Sequence, residues 1–103
     1  MKIVGVCACV AGIAHTYIAQ EKLTEAAKRR GHQINTETQG VIGIENELSQ
    51  IDIDNADVVI LAVDVSINKR DRFKGKKVVE VPTRLVINSA DKVIEKIEKM
   101  IEG

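Results

Sequence analysis

Four short runs rich in valine and isoleucine alternate along the chain with helical patterns or loops, and this alternation restricts the possible folds more than any other feature. The runs are KIVGVCA (2–8), HQINTET (32–38), ADVVILAV (56–63) and KKVVEV (76–81). The first and third are almost continuously apolar, as is typical of central parallel strands that are covered on both faces. The second and fourth are more polar and fit the edges of a sheet.

Two longer stretches carry helical patterns. Residues 15–30 end in three basic residues before Gly31, and cations followed by glycine favour the end of a helix. From about Ser89 onward, apolar residues recur at helical spacing. Short helices are also expected within 44–50 and 69–73. The acidic stretch 52–57 lacks the central glycine and final glutamate of a calcium loop, and it predicts a turn. The predicted apolar stripes consist of Ile18, Ala19, Leu23, Ala26 and Ala27 in the first helix and Val93, Ile94, Ile97, Met100 and Ile101 in the last.

Strands that alternate with helices in 103 residues predict a single α/β domain over 1–103. We expect a small, doubly wound, Rossmann-like sheet of four parallel strands in the order 2-1-3-4, with helices on both faces because crossovers are right-handed. Ligands in such folds bind outside the carboxyl ends of the strands, where the strand order reverses. In this chain that point lies just after the first strand.

Composition excludes several classes of function. The 15 basic and 15 acidic residues balance, and Tyr17 and Phe73 are the only aromatic residues in the sequence, so nucleic-acid binding has little support. The opening residues resemble a strand and lack the features of a signal peptide. The longest apolar run, 4–14, is shorter than a membrane helix. We therefore expect a soluble, cytoplasmic protein.

The segment CVAGIAHT, from Cys9 to Thr16, joins the first strand to the first helix. Small residues in such a loop let backbone N–H groups approach an anion at the positive end of the helix dipole. Neither G-x-x-x-x-G-K-[ST] nor G-x-G-x-x-G occurs, so a bound nucleotide has no specific support. The predicted phosphate-binding residues are Val10, Ala11, Gly12, Ile13, Ala14, His15 and Thr16.

Cys9 is the predicted nucleophile, because a cysteine at a helix N-terminus has a stabilised thiolate. Cys7 lies deeper in the strand and is expected to be a small buried residue. A neutral His15 in the first helical turn could orient the thiolate or donate to a phosphoryl oxygen, and Thr16 could offer its hydroxyl. The spacing of the two cysteines fits neither a C-x-x-C redox pair nor a zinc site, and no metal or cofactor is expected.

The loop also resembles that of small cysteine phosphatases, in which five residues separate the cysteine from an arginine. Here His15 occupies the place of that arginine. Without a guanidinium the transferring phosphoryl group loses a bidentate partner, so hydrolysis should be poor. A phosphatase or arsenate-reductase-like enzyme is the second hypothesis, and a binding module without catalysis is the third.

Several motifs together resemble the fructose-class enzyme IIB domain of the bacterial sugar phosphotransferase system (PTS). They are GIAHT (12–16), ETQG (37–40), GIENEL (43–48), ADVVILAVD (56–64) and DRFKGKKV (71–78), and they span nearly the whole chain. The resemblance implies a phosphoryl relay in which Cys9 takes phosphate from a phosphohistidine on a IIA protein. A sugar bound by the membrane IIC transporter, fructose or a related one, then receives it. The resemblance also implies a cytoplasmic protein, associated with the membrane through that transporter.

The chain departs from the family pattern directly after the cysteine, where Val10 and Ala11 replace the common proline and threonine. A hydroxyl that could bind phosphate is thereby lost. Other candidates lie at strand ends or in a basic segment. Gln39 could meet the phosphoryl group or the partner, Asp64 could cap or hydrogen-bond the loop, and Arg72, with Arg70, could steer a phosphorylated partner. For each of these a plain structural role is a competing interpretation.

Overall fold

The computed structural model describes residues 1–10 and 14–102 of the chain. Five strands and three α-helices alternate in it, and a short 3₁₀ helix precedes the last strand. The elements are β1 (Lys2–Ala8), α1 (Ala14–Arg29), β2 (Gln33–Gly40), β3 (Gly43–Glu45), α2 (Gln50–Asn55), β4 (Val58–Val63), the 3₁₀ helix (Arg70–Phe73), β5 (Val78–Val81) and α3 (Thr83–Glu102).

The strands form one sheet in the order β3-β2-β1-β4-β5. β1 pairs in parallel with β2 on one side and β4 on the other, and β4 pairs in parallel with β5. The predicted α/β fold and the order of its four parallel strands are therefore confirmed. The short strand β3 is an addition, because it pairs antiparallel with β2 and extends that edge of the sheet.

Two apolar cores lie on opposite faces of the sheet, since successive side chains of a strand point to opposite sides. One core joins the sheet to α1 and α3 and includes Cys7, Leu23 and Ile94. The other contains Val6, Ala8 and Phe73 and lies on the side of α2 and the 3₁₀ helix. Gly5 allows α1 to approach β1 closely, because a Cβ there would lie 3.2 Å from Leu23 Cδ2.

Three predictions of local structure are wrong. Residues 44–50 do not form a helix, because 43–45 pair with β2 as the second arm of a hairpin. Residues 50–55 form α2 where a turn was expected over 52–57, and the Ser49 side chain caps this helix by accepting from the Asp52 N–H. The last helix begins at Thr83, six residues before the predicted start, and Ser89 is an irregular residue inside it.

Other local predictions are confirmed. A 3₁₀ helix forms at Arg70–Phe73, and Gly31 follows α1 with a positive φ of 82°. Most of the predicted helix stripes are buried, although Ile18 and Met100 are partly exposed at their margins. The carboxyl ends of β1, β2 and β4 lie next to one another, and the segment that carries Cys9 leaves the sheet there.

Candidate active site

Cys9 follows the last residue of β1 and lies at the carboxyl edge of the sheet. Its residue surface is 6% exposed, so only a small part of it reaches solvent. The buried Thr16, in the first turn of α1, donates its hydroxyl to Cys9 Sγ at 3.0 Å. A hydroxyl donor stabilises a thiolate more than a thiol, because hydrogen bonds to charged groups are the stronger ones. Thr16 therefore supports the sulfur in the way that a nucleophile requires.

Cys7 has a different environment, although only one residue separates it from Cys9. It is fully buried in the core beneath α1 and α3. Burial raises the pKa of the Cys7 thiol to about 12, which leaves almost no thiolate near neutral pH. The structure therefore agrees with the interpretation of Cys7 as a core residue.

The predicted phosphate-binding segment is only partly described. Val10 is 81% exposed, and Ala14 and His15 are exposed at the start of α1. The predictions for Ala11, Gly12 and Ile13 fall outside the described residues. His15 lies next to Thr16 in the chain, so an exposed imidazole and a buried hydroxyl stand on adjacent positions of the first helical turn.

A groove of about 520 Å³ opens between the N-terminal ends of α1 and α3. His15 and Ile18 line it from α1, and Thr83 and Arg84 line it from α3. His15 directly precedes Thr16, whose hydroxyl contacts Cys9 Sγ, so one residue of the first turn of α1 lines the groove and the next holds the sulfur. Asp64 also lines the groove, and its backbone N–H donates to the carbonyl of Ala8, the residue before Cys9, at 2.9 Å.

The Asp64 carboxylate binds the first residue of α3. It accepts from the Thr83 N–H at 3.1 Å and from the Thr83 hydroxyl at 2.6 Å. An acidic group is favourable at a helix N-terminus, where backbone N–H groups lack partners. Asp64 is therefore a helix-capping residue, and its carboxylate fixes α3 beside the groove.

Gln39 and Glu37 form a buried polar network at the end of β2. The Gln39 amide binds both backbone groups of Asn68, accepting from its N–H at 2.8 Å and donating to its carbonyl at 3.0 Å. It also donates to Glu37 at 2.9 Å. Gln39 thus contacts the loop after β4. Its predicted contact with a phosphoryl group or partner remains a prediction.

Arg72 forms a bidentate ion pair with Glu37, with N–O distances of 2.7 and 2.6 Å. The Glu37 side chain is fully buried and that of Arg72 is 10% exposed. Burial alone would raise the pKa of Glu37, but hydrogen bonds from Arg72, Gln39 and the Leu48 N–H outweigh burial and lower it. Arg72 is largely buried in this ion pair, which favours a structural role, and its predicted contact with a partner remains a prediction.

The Glu37–Arg72 pair and Cys9 lie on opposite faces of the sheet. Glu37 is paired with Val6, and both Val6 and Phe73, which lies beneath the Arg72 guanidinium, belong to the core on the α2 side. Cys9 accepts a hydrogen bond from Thr16 of α1, which packs on the other face. Arg72 therefore does not supply the guanidinium that a cysteine phosphatase would place around its phosphate.

Sequence reasoning placed Glu37 in the ETQG motif but gave it no role, and it did not single out Arg84. Glu37 lies in a polar strand, where a carboxylate is usually exposed, and its partner is 35 positions away. Arg84 belongs to no motif, and only the position of α3 places it in the groove. Within residues 1–10 and 14–102, no group of histidine, cysteine, aspartate and glutamate side chains is arranged to hold a metal ion.

Comparison with known proteins decides the family. The family model described as "PTS system, Lactose/Cellobiose specific IIB subunit" matches residues 4–96. The chain belongs to the PTS IIB family. Among the relatives of this IIB chain, the "PTS system fructose-like EIIB component 2" of Escherichia coli K12 is 47% identical over 97 residues, which cover 94% of this chain and 92% of that protein.

Solved structures agree with this assignment. The solution structure of the enzyme IIB subunit of the PTS from Escherichia coli K12 has a TM-score of 0.93 and 39% identity, and the match covers 98% of this IIB chain and 94% of that one. An arsenate reductase in the phosphate-binding state has a TM-score of 0.56 at 13% identity. The second likeness shows a shared fold alone.

Proposed function

We propose that this IIB component is a phosphoryl relay in which Cys9 carries the phosphate. Cys9 would accept the group from a phosphohistidine on a IIA protein and pass it to a sugar bound by the membrane IIC transporter. The observation that carries the proposal is the hydrogen bond from buried Thr16 to Cys9 Sγ at the carboxyl edge of the sheet. The family assignment and the fructose-like names of the relatives support it.

The proposed chemistry consists of two displacements at phosphorus. In the first, the Cys9 thiolate attacks the phosphoryl group, the S–P bond forms, the N–P bond breaks and the imidazole of the donor keeps the electron pair. In the second, a sugar hydroxyl attacks, the O–P bond forms and the S–P bond breaks to restore the thiolate, while the hydroxyl proton passes to a base or to water. A thiolate leaves more readily than an alkoxide, so the second transfer is favourable.

The proposed place of action is the cytoplasmic face of the membrane. None of the described helices has the length and apolar composition of a membrane span. In this proposal the sugar is held by the transporter, with this chain as the phosphate carrier beside it. Fructose or a related sugar is proposed on the names of the relatives. The relay would make the chain a protein-phosphohistidine–sugar phosphotransferase of the fructose type.

The test is to incubate the purified protein with labelled phosphoenolpyruvate, the general phosphotransferase proteins and a fructose-class IIA protein. We expect intact mass to show one added phosphoryl group, and iodine to release it, as expected for a thiophosphate. Cys9→Ser should prevent labelling. Cys7→Ala should still be labelled, because Cys7 is fully buried in the core.

Two results would contradict the relay. One is an unlabelled wild-type protein in a mixture that labels a control IIB. The other is label that persists in Cys9→Ser. Steady release of phosphate from an aryl phosphate would instead support the phosphatase hypothesis.

A further inference from the structure

The groove between α1 and α3 contains a cation, Arg84, that forms no ion pair within the described part of the chain. Arg84 is the second residue of α3 and lines the groove. Within residues 1–10 and 14–102, Arg84 forms no ion pair with an acidic side chain, whereas each of the other four arginines does. These pairs join Arg29 to Asp91, Arg30 to Glu98, Arg70 to Glu80 and Arg72 to Glu37.

The position of Arg84 brings no benefit to the helix that carries it. A cation in the first turn of a helix faces the positive end of the helix dipole, which disfavours it. Asp64 lines the same groove, but both of its carboxylate oxygens accept from Thr83. Stabilisation of α3 therefore does not account for an arginine at this position, whereas an anion brought by a partner would.

The groove lies at the same edge of the sheet as Cys9, which carries the atom that reacts in the proposed relay. His15, which lines it, precedes the threonine that holds Cys9 Sγ. Asp64, which also lines the groove, is linked through its N–H to the residue before Cys9. A volume of about 520 Å³ lies in the range of sites that hold small molecules. A phosphorylated imidazole reaching Cys9 would pass along or beside this groove.

We propose that this groove is the docking site for the phosphohistidine segment of the IIA donor, and that Arg84 pairs with the anionic charge the donor brings. This inference rests on the proposed relay. Charge complementarity identifies the occupant: the donor arrives with a negatively charged phosphoryl group, whereas the sugar hydroxyl that accepts phosphate is neutral. Arg84 is accordingly a positioning residue for the first transfer.

The test separates the two transfers. The first is measured as the rate of Cys9 phosphorylation at increasing concentrations of phosphorylated IIA protein, at low and high salt. The second is measured with protein already phosphorylated on Cys9, as transfer to sugar by membranes that contain the transporter. The variants are Arg84→Gln and Arg84→Lys. Arg29→Gln is the control, because it also removes one arginine charge, at the C-terminal end of α1 and away from the groove, where Arg29 is paired with Asp91.

We expect Arg84→Gln to lower kcat/KM for the phosphorylated donor about tenfold at low salt, mainly through KM, and to weaken its dependence on salt. Arg84→Lys should recover most of the loss because it restores the charge. Arg29→Gln and the second transfer should stay within about twofold of the wild type.

The inference is overturned if Arg84→Gln and Arg29→Gln accept phosphate at the same rate. It is also overturned if the second transfer falls as far as the first, since Arg84 would then act on the phosphate held by Cys9 or on the transporter. A wild-type protein that accepts no phosphate contradicts the relay itself. A wild-type protein that is labelled normally, with Arg84→Gln unaffected, contradicts only the docking site.

Discussion

At the scale of single residues, the environment of the sulfur atom separates two cysteines that look alike in the sequence. Cys9 receives a hydroxyl hydrogen bond at the sheet edge, whereas Cys7 is enclosed by apolar side chains. The Cys9 sulfur thus has a hydroxyl donor that would stabilise a thiolate, whereas burial of Cys7, two positions earlier, disfavours one. The difference arises because β1 ends between them.

Replacing Thr16 by valine tests the role of the hydroxyl. Valine keeps the shape but removes the donor to Cys9 Sγ. Because a hydrogen bond to a charged group contributes about 1.5–3 kcal/mol, the thiolate should become rarer and alkylation of Cys9 by iodoacetamide at neutral pH should slow about tenfold or more. Thr16→Ser should react at nearly the wild-type rate. Equal rates for wild type and Thr16→Val would show that the hydroxyl does not stabilise the sulfur.

Residues whose role depends on near neighbours in the chain could be predicted from the sequence. Cys9 and Thr16 lie in one short loop and helix start, so strand, loop and helix signals place them together. Arg84 could not be found in this way, because its proposed role depends on the lack of an ion partner in the described chain and on the approach of α3 to α1. Both facts belong to tertiary structure.

At the scale of elements, the Glu37–Arg72 pair joins β2 to the 3₁₀ helix on the face away from Cys9. Gln39 adds a second link by binding both backbone groups of Asn68. Two strand-end residues of β2 therefore hold the connection between β4 and β5. Phe73, buried in the core on that face, and the ion pair between Arg70 and Glu80 fix the same connection further.

Arg72→Met should destabilise the fold by about 3–5 kcal/mol, because it leaves the buried Glu37 carboxylate without its cation. The double variant with Glu37→Gln should recover much of the loss, since no charge is then left buried. Urea unfolding of the two single variants and the double variant gives the coupling. Arg70→Gln, which breaks the exposed pair with Glu80, should cost no more than about 1 kcal/mol. Additive losses at positions 37 and 72 would contradict a coupled pair.

The errors in element prediction also have physical causes. β3 has three residues, too few to show the alternation of a strand, and it exists through its pairing with β2. Ser89 suggested a helix start and instead marks a break, with φ of −147° inside α3. Pro82 directly before Thr83 was the better signal, because proline suits the N-terminal end of a helix.

At the scale of the whole molecule, Glu98 links the far end of α3 to the segment that enters β2. Its carboxylate binds Arg30 at 2.6 Å and His32 at 2.6 Å. Hydrogen bonds from Arg30, and then from His32, lower the pKa of Glu98 from its usual 4.5 to about 2. These contacts join α3 to the start of β2 at the amino ends of the parallel strands, opposite the edge of the sheet that carries Cys9.

This shift predicts how stability depends on acid. A group whose pKa is lower in the folded state stabilises the fold above its unfolded pKa, and this contribution is lost as the pH falls. For Glu98 the loss should extend from about pH 4.5 down to about pH 2. Urea midpoints measured over this range should fall less steeply for Glu98→Gln than for the wild type. Glu95→Gln, on the exposed side of the same helix, should keep the wild-type slope. Identical slopes for wild type and Glu98→Gln would contradict the prediction.

The enclosure of Cys7 also determines how the protein would respond to peroxide. A thiol that has been oxidised to sulfenic acid is commonly rescued by a second thiolate, which forms a disulfide with it. Cys7 is the only other cysteine, and with a pKa of about 12 and no exposed surface it supplies no attacking thiolate. An oxidised Cys9 would therefore depend on a small thiol from outside the protein for its repair.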